Sequence, residues 1–324
     1  MEKKISVVMT THNKAKYLDL TLAGYQQQSY KDFEIVIIDD GSTDNTKEII
    51  DSYKNDLNIC YAKYEKIGIS KVRKATLELA KGDYIIITDD DRIPCKDFVY
   101  SHKKKLDSGE KCVNVGKECL ILSFFMRDVK YKFIDEFKIY TLYPELLELT
   151  EKQMFTAQDI RDNYDEVINK YFLSDYTESR LVDMVDRYGE ELNGFYLGWS
   201  RAFGGNMAFD RTLCNKALEY DENYKGYGIE DIDFSYQLFL QGFVFHFDSD
   251  AKNYHQEHPR SKVENSDMYK NFQYFCSKYP TLEVQLMKME WDNMISLELA
   301  NDFYRVLKEQ KELLKDNILK VLMA

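Results

Sequence analysis

The first hundred residues alternate between short apolar runs and longer segments in which apolar residues recur every three or four positions. The short runs are rich in β-branched residues and predict strands, whereas the periodic segments predict helices. The predicted strands cover residues 5–9, 34–38, 59–64 and 84–87. The predicted helices cover residues 15–28, 43–53 and 69–80. Because near-continuous apolar strands separated by helices are typical of a parallel sheet covered on both faces, we expect an α/β fold.

The remainder of the chain changes character twice. Residues 145–191 have a helical pattern and are strongly acidic, with 13 Asp and Glu against 5 Lys and Arg. A mixed region follows from 194 to about 260, and helical segments then continue to the C-terminus, with an amphipathic stretch over 303–323. We therefore expect one domain over 1–260, with halves at 1–100 and 194–260 and an acidic helical insertion at 145–191, followed by a helical extension over 261–324.

Two acidic loops directly follow predicted strands. The first begins with Asp39 and Asp40, and the second is the triplet Asp89, Asp90 and Asp91. In open α/β sheets ligands bind at the carboxyl ends of the strands, where both loops lie. A turn and helix cap is the alternative for the first loop, and a hydrated acidic loop for the second. Three adjacent carboxylates repel one another, and their oxygens suit Mg²⁺ or Mn²⁺.

Two later segments also carry candidate chemistry. Glu230 and Asp231 follow a glycine-containing loop and open a predicted helix, where a carboxylate in a closed pocket can act as a general base; simple helix capping is the alternative. His255 and His258 lie in the segment YHQEHP, and imidazole favours Mn²⁺ over Mg²⁺. An H-x-x-H zinc pair is a second interpretation of these histidines. The other three histidines, which we interpret as surface or structural residues, are His12, His102 and His246.

Composition narrows the range of partners. The 324 residues carry 44 Lys and Arg against 56 Asp and Glu, a net charge of −12, which argues against nucleic acid because phosphate binding needs a basic face. The N-terminal apolar run is too short for a signal peptide, and no apolar run approaches the roughly 18 residues of a membrane span. Six cysteines form no C-x-x-C pair. We expect a soluble cytoplasmic protein with free thiols.

An ordered set of sequence motifs resembles the family-2 glycosyltransferases of the GT-A fold. In the first half, the resemblance is carried by the segment from ISVVMTTHN to IIDDGSTDNT and by the segment GDYIIITDDDRIP. Three later segments are similar to the C-terminal half of bacterial chondroitin polymerase-type and β-1,4-galactosyltransferase-type domains. They are FGGNMAF, YKGYGIEDIDF and YHQEHP. The resemblance covers about residues 1–100 and 200–260. It implies a mainly parallel central sheet flanked by helices, with a nucleotide-binding first half and an acceptor-binding, catalytic second half.

The resemblance also implies roles for individual residues. The nucleotide and donor-sugar site would be formed by Thr10, Thr11, Asn13, Asp40, Asp89, Asp90, Gly204, Gly205, Asn206 and Tyr227. Within it, Asp40 would bind uracil and Asp89 would lie near the ribose. Asp91 and His255 would hold Mn²⁺ or Mg²⁺, Glu230 would bind acceptor or sugar hydroxyls, and Asp231 would act as base. Relatives often have Trp at 227 and Gly at 229, so stacking on the sugar and pocket width are expected to differ.

These roles predict a hexosyltransferase that transfers a sugar from a UDP-sugar, with inversion, to a hydroxyl of a glycan or lipid-linked saccharide in polysaccharide biosynthesis. A protein or peptide acceptor is an alternative. A sugar nucleotidyltransferase is a second one, but no glycine-rich basic loop follows the first strand. A non-catalytic binding protein with this fold is a third. We expect the C-terminal helices to pack on the catalytic domain or in a homodimer. Peripheral contact with the inner face of the membrane is the alternative.

Overall fold

A computed structural model describes residues 3–131, 133–175, 181–226, 228–259, 264–309 and 320–321. Among these residues, eleven strands (β1 to β11) span Ile5–Thr11, Glu34–Asp40, Ile59–Tyr64, Tyr84–Thr88, Arg92–Pro94, Cys112–Ile121, Phe124–Met126, Glu151–Gln153, Phe172–Ser174, Asn206–Asp210 and Val244–Gln256. Eleven α-helices (α1 to α11) span Ala15–Gln26, Thr46–Tyr53, Ile69–Leu79, Phe98–Leu106, Glu136–Leu142, Ala157–Tyr171, Val182–Tyr188, Glu230–Leu240, Glu264–Lys278, Leu282–Trp291 and Leu297–Glu309.

A nine-stranded mixed sheet forms the centre of the protein. Its strand order is β3-β2-β1-β4-β10-β6-β11-β5, and β9 pairs with β6. The strands β1 to β4 pair with one another in parallel, as the apolar pattern predicts. β10 runs antiparallel between β4 and β6, and β11 is parallel to β6. The predicted α/β fold with helices flanking the sheet is thus confirmed. The sheet is mixed and not mainly parallel, because β5 and β9 also run antiparallel to their neighbours β11 and β6.

The sheet is buried on both faces. Along β1, Val7 and Met9 contribute to one hydrophobic cluster, whereas Val8 contributes to the cluster on the other side. Along β4, Ile86 belongs to the first cluster and Ile85 to the second. This alternation follows from the two-residue period of a strand, and burial on both faces explains why these strands are apolar without interruption.

The second helix begins three residues later than the pattern predicts. Residues 43–45 remain in the loop because the carboxylate of Asp44 accepts hydrogen bonds from the backbone N–H of Thr46 (3.2 Å) and from the Thr46 hydroxyl (2.6 Å). The same carboxylate accepts a bond from the backbone N–H of Ala15 (3.1 Å) at the start of α1. Asp44 therefore joins the beginnings of two helices beside the ends of β1 and β2.

The acidic stretch 145–191 and the C-terminal helices both pack on the sheet domain. From the acidic stretch, the Arg161 guanidinium on α6 donates to the Gln26 side chain on α1 (2.7 Å). On α11, Asn301 accepts a bond from the backbone N–H of Tyr196 (2.7 Å) and donates to the carbonyl of Gly194 (2.9 Å). Residues 310–319 and 322–323 of the predicted amphipathic stretch lie outside the described residues. Within the described ranges, no helix combines the length and apolar character needed to cross a membrane.

Candidate active site

A cleft of about 560 Å³ opens at the carboxyl ends of β1, β2 and β4, beside the N-terminus of α8. A cavity of this size accommodates a typical small-molecule ligand or cofactor. The predicted site residues that line it are Thr10, Thr11, Asp40, Asp89, Asp90, Asp91, Gly205, Glu230, Asp231 and His255. The structure therefore brings together residues separated by more than two hundred positions in the sequence, all at the sheet edge where α/β proteins bind ligands.

Three of the predicted donor residues lie outside the lining of the cleft. Asn13 accepts a bond from the backbone N–H of Thr43 (2.8 Å), so that it holds the loop after β2. Asn206 is buried and donates to the carbonyl of Ala251 (2.9 Å), so it supports the sheet and does not line the cleft. Gly204 lies just behind the cleft lining, where a side chain would meet the Asp231 carboxylate at 2.7 Å. Tyr227 lies outside the described residues.

The two aspartates that end β2 have different environments. Asp39 is fully buried and accepts bonds from the backbone N–H of Ser42 (2.7 Å) and the hydroxyl of Tyr61 (2.9 Å), so its carboxylate shapes the turn. Asp40 lines the cleft and accepts a bond from the backbone N–H of Ile67 (2.7 Å) at the start of the segment leading to α3. Of these two residues, only Asp40 therefore faces the cleft.

The triplet 89–91 is balanced by cations from the protein itself. Lys14 forms an ion pair with Asp91 and lies 3.8 Å from Asp90, and Arg92 donates to Asp89 (2.9 Å). Burial opposes ionisation throughout, yet Arg92 holds the pKa of Asp89 below its usual value, and Lys14 with His255 holds the pKa of Asp91 well below it. For Asp90 burial prevails and raises the pKa to about 7. Asp89 and Asp91 are therefore ionised at pH 7, whereas Asp90 is partly protonated.

The first turn of α8 carries the second pair of carboxylates. Arg73 of α3 forms an ion pair with Asp231 and lies 3.2 Å from Glu230. The residue before the pair, Ile229, has a φ of 78°, a left-handed conformation that is unusual for a β-branched side chain. This backbone turn directs both carboxylates toward the cleft, which Ile229 also lines. The resemblance described above leads us to expect glycine at this position, and glycine adopts this conformation without strain.

Asp91, His255 and His258 form a set with the donor types of a metal site. One ligand atom from each lies within 4.8 Å of the others. His255 Nε2 is 3.6 Å from Asp91 Oδ1, an oxygen that is buried and has no hydrogen-bond partner in the part of the chain described. Burial lowers the pKa of His255 to about 4, so the imidazole is neutral at pH 7, as a metal ligand must be. The residues present therefore fit a divalent cation.

His258 meets the geometric conditions for the third ligand. Its Nδ1 lies 3.1 Å from the carbonyl oxygen of Pro259. Because a carbonyl oxygen can only accept a hydrogen bond, Nδ1 carries the hydrogen. Its Nε2 lone pair therefore faces Asp91 Oδ2 at 3.3 Å. Histidines that bind metals commonly donate their other ring N–H to a backbone carbonyl in this way.

Several cleft residues are not assigned by the sequence motifs. They are Lys14, Arg73, Arg92, Phe203, His258 and Trp291. His258 had a detectable signal, the spacing H-x-x-H, and Arg92 directly follows the acidic triplet. Lys14 and Arg73 resemble ordinary surface cations in the sequence, and only the fold shows that they face carboxylates from distant segments.

Comparison with known proteins agrees with the motifs. Residues 6–156 match the model of the family described as Glycosyl transferase family 2, and residues 187–259 match one described as the N-terminal domain of galactosyltransferase. The Bacillus subtilis glycosyltransferase YfnE is 27% identical over 319 residues, covering 95% of this chain and 80% of that protein. The Escherichia coli chondroitin synthase is 28% identical over 264 residues, but these cover 80% of this chain and only 36% of the synthase.

Solved structures share the fold. S. aureus TarS, at 17% identity, superposes with a TM-score of 0.56 over 90% of this chain and 43% of that chain. A structure of TarS residues 1–349, described as a complex with UDP-GlcNAc, is 18% identical and has a TM-score of 0.55 over 85% of this chain and 66% of that chain. With the family matches and the motif set, the comparison establishes that this chain belongs to the family-2 glycosyltransferases and has the GT-A fold.

Proposed function

We propose that this enzyme transfers a sugar from a UDP-sugar to a hydroxyl of a glycan or lipid-linked saccharide, with a divalent metal and with inversion at the anomeric carbon. The observation that carries the proposal is the presence in one cleft of Asp40, the set Asp91, His255 and His258, and the pair at the start of α8. Similarity to the E. coli chondroitin synthase and to a Pasteurella multocida hyaluronan synthase supports a saccharide acceptor. The described UDP-GlcNAc complex of TarS supports a uridine donor.

Asp91, His255 and His258 would hold the metal, with Mn²⁺ favoured over Mg²⁺ because two of the three ligands are imidazoles. A bound divalent ion would neutralise the diphosphate leaving group, which an acidic protein otherwise repels. Arg73 and Arg92 add positive charge to the same cleft. Lys14 pairs with Asp91 and lies 3.4 Å from His258 Nε2, so that it keeps these ligands close together.

Asp231 is the proposed general base. The ion pair with Arg73 fixes the orientation of this carboxylate, so that it can accept the proton of an acceptor hydroxyl as that oxygen attacks. Glu230, which is buried and contacts the same guanidinium, would hold a sugar or acceptor hydroxyl. Attack from the face opposite the departing UDP inverts the anomeric configuration. The proton moves to Asp231 Oδ, and the bond between the sugar and the diphosphate oxygen breaks.

The identity of the released product tests the proposal against a nucleotidyltransferase. We would incubate the enzyme and Mn²⁺ with UDP-sugars and saccharide acceptors in one series, and with UTP and sugar 1-phosphates in another. The proposal predicts release of UDP in the first series and a glycosidic product of inverted configuration by NMR. Pyrophosphate release in the second series, or retention of configuration in the first, would contradict it.

A further inference from the structure

A second cluster of potential metal ligands lies at the opposite end of the sheet from the cleft. Glu110, Cys112 and His246 each place one ligand atom within 4.8 Å of the other two. Phe209 of β10 pairs with Ile85, the second residue of β4, and with Val113, the second residue of β6. Cys112, the first residue of β6, therefore lies at the same end of the sheet as the first residue of β4. The acidic triplet follows the other end of β4, and the cluster is therefore separate from the proposed catalytic site.

Strand register brings the sulfur and the imidazole to the same face. Cys112 pairs with Val244 across the parallel β6 and β11, and His246 lies two residues further along β11. Side chains two residues apart on a strand share a face, so Cys112 and His246 are diagonal neighbours. The Cys112 side chain is fully buried and His246 is 4% exposed, whereas Glu110 is exposed at the edge. Two of the three potential ligands, Cys112 and His246, are thus shielded from solvent, and Glu110 is exposed.

The hydrogen bonds of His246 determine which nitrogen is available. Its Nδ1 faces the backbone carbonyl of Glu191 at 2.9 Å and the Glu191 carboxylate at 3.0 Å, and both are acceptors. Nδ1 therefore carries the hydrogen, and the lone pair of Nε2 points the other way. Nε2 is buried and makes no hydrogen bond within the described residues, although Glu110 Oε2 lies 3.2 Å away. A proton on Nε2, or a metal ion bound by both atoms, makes a contact of this length favourable, and the Cys112 sulfur supplies a third ligand for the metal.

The donor set indicates which cation would bind. A thiolate, an imidazole and a carboxylate are the ligands that Zn²⁺ prefers, whereas Mg²⁺ and Ca²⁺ prefer oxygen alone. Zinc-bound histidines usually donate their other ring N–H to a carbonyl or carboxylate, as Nδ1 of His246 does to the Glu191 carbonyl. Lys105 holds the nearby Glu191 carboxylate (2.5 Å) and lies 3.8 Å from Glu110, so it limits the negative charge that would surround the ion.

We propose that Glu110, Cys112 and His246 form a Zn²⁺ site, with solvent at the fourth position. Binding would deprotonate the Cys112 thiol, and the proton would pass to solvent. The ion would connect the loop after α4 to the first residues of β6 and to β11. It would therefore stabilise this end of the sheet without taking part in sugar transfer, and the proposal does not depend on the function proposed above.

Cobalt substitution tests the site by a signal that only a sulfur ligand gives. The full-length protein, freed of metal by chelator and dialysis, would be titrated with Co²⁺ and then with Zn²⁺. We expect a thiolate-to-cobalt charge-transfer band in the near ultraviolet at one equivalent, its loss on addition of Zn²⁺, and a rise in Tm with Zn²⁺. Absence of the band in folded protein would overturn the proposal.

Matched variants separate this site from the catalytic cleft. Cys112→Ser should abolish the band, and Cys214→Ser, which alters a partly buried thiol elsewhere, should retain it. Asp91→Ala should retain it as well, whatever its effect on nucleotide binding. His246→Gln should weaken Zn²⁺ binding by more than about 100-fold, because loss of an outer-shell partner alone costs about 10–100-fold. Glu110→Gln, at an exposed position, should keep the fold and the band but weaken binding. A band unchanged in folded Cys112→Ser would refute the assignment.

Discussion

Replacement of Asp231 by Asn removes the proposed base while preserving its shape. The side chain is 18% exposed and lies against Gly204, where there is no room for a larger group. Arg73 keeps Glu230 as a partner at 3.2 Å, so the change does not leave the guanidinium without a carboxylate. An amide cannot accept the proton of the acceptor hydroxyl. General-base catalysis contributes about 10²–10⁴-fold, which equals about 3–5 kcal/mol of barrier, and kcat should fall by that factor.

The assay measures both chemistry and binding. UDP release under saturating donor and acceptor gives kcat, and calorimetry with UDP and Mn²⁺ gives the nucleotide affinity, which should stay within about threefold because Asp231 acts on the acceptor. The matched control is Asp233→Asn on the same helix, where the carboxylate contacts Lys278 (2.6 Å) and Tyr279 (2.8 Å) outside the cleft. This control should lose about 1–3 kcal/mol of unfolding free energy but retain kcat.

Two outcomes would refute the reasoning about Asp231. If kcat in Asp231→Asn stays within about threefold of the wild-type value, the residue is not the base. If UDP binding is lost together with activity, Asp231 supports the donor site, and the separation of donor and acceptor roles in the cleft is wrong. Equal loss of kcat in Asp233→Asn would show that disturbance of α8, and not removal of a base, accounts for the effect.

Three other predictions concern the metal set and a buried histidine. Asp91→Ala should abolish Mn²⁺-dependent UDP binding in calorimetry, since it removes the carboxylate shared by both histidines; binding that still requires Mn²⁺ would contradict this. His258→Gln should raise the Mn²⁺ concentration needed for half-maximal UDP release by about tenfold or more, and no change would exclude His258 as a ligand. Burial lowers the pKa of His102 to about 4 from its ordinary 6.5, so the unfolded chain takes up the proton first. Stability from neutral His102 is then present above pH 6.5 and lost as the pH falls toward 4, by about 3 kcal/mol in total. The difference in unfolding free energy between wild type and His102→Gln should change over this pH range, and a constant difference would contradict the prediction.

The parallel half of the fold is predictable from the sequence because its strands are buried on both faces. Val7, Val8 and Met9 must all be apolar when neighbouring side chains point into two different cores. The antiparallel β10 is not predictable in the same way, because Asn206 and Asp210 at its ends contact Ala251 and Lys3, which are distant in the sequence. His102, which donates to Asn206 (2.9 Å) while fully buried, is confirmed as structural.

The parts of the candidate site that the sequence predicts are those in which charged residues are adjacent in the chain. The triplet 89–91 and the pair 230–231 are clusters of charge at predicted strand and helix ends, and the structure places both in the cleft. The partners Lys14 and Arg73 were not predictable because ion pairs between distant segments depend on how the helices cross the sheet. The same reason explains His246, interpreted from the sequence as structural, whose proposed ligand partners become neighbours only through the register of β6 and β11.

The most direct test of the account is the rate of UDP release from UDP-sugars by the wild-type enzyme, with saccharide acceptors, in Mn²⁺ and then in excess chelator. The account predicts that at least one UDP-sugar is consumed in Mn²⁺, that chelator stops the reaction, and that renewed Mn²⁺ restores it. Release of UDP at an undiminished rate after complete removal of metal would contradict the central claim that Asp91, His255 and His258 act through a divalent ion.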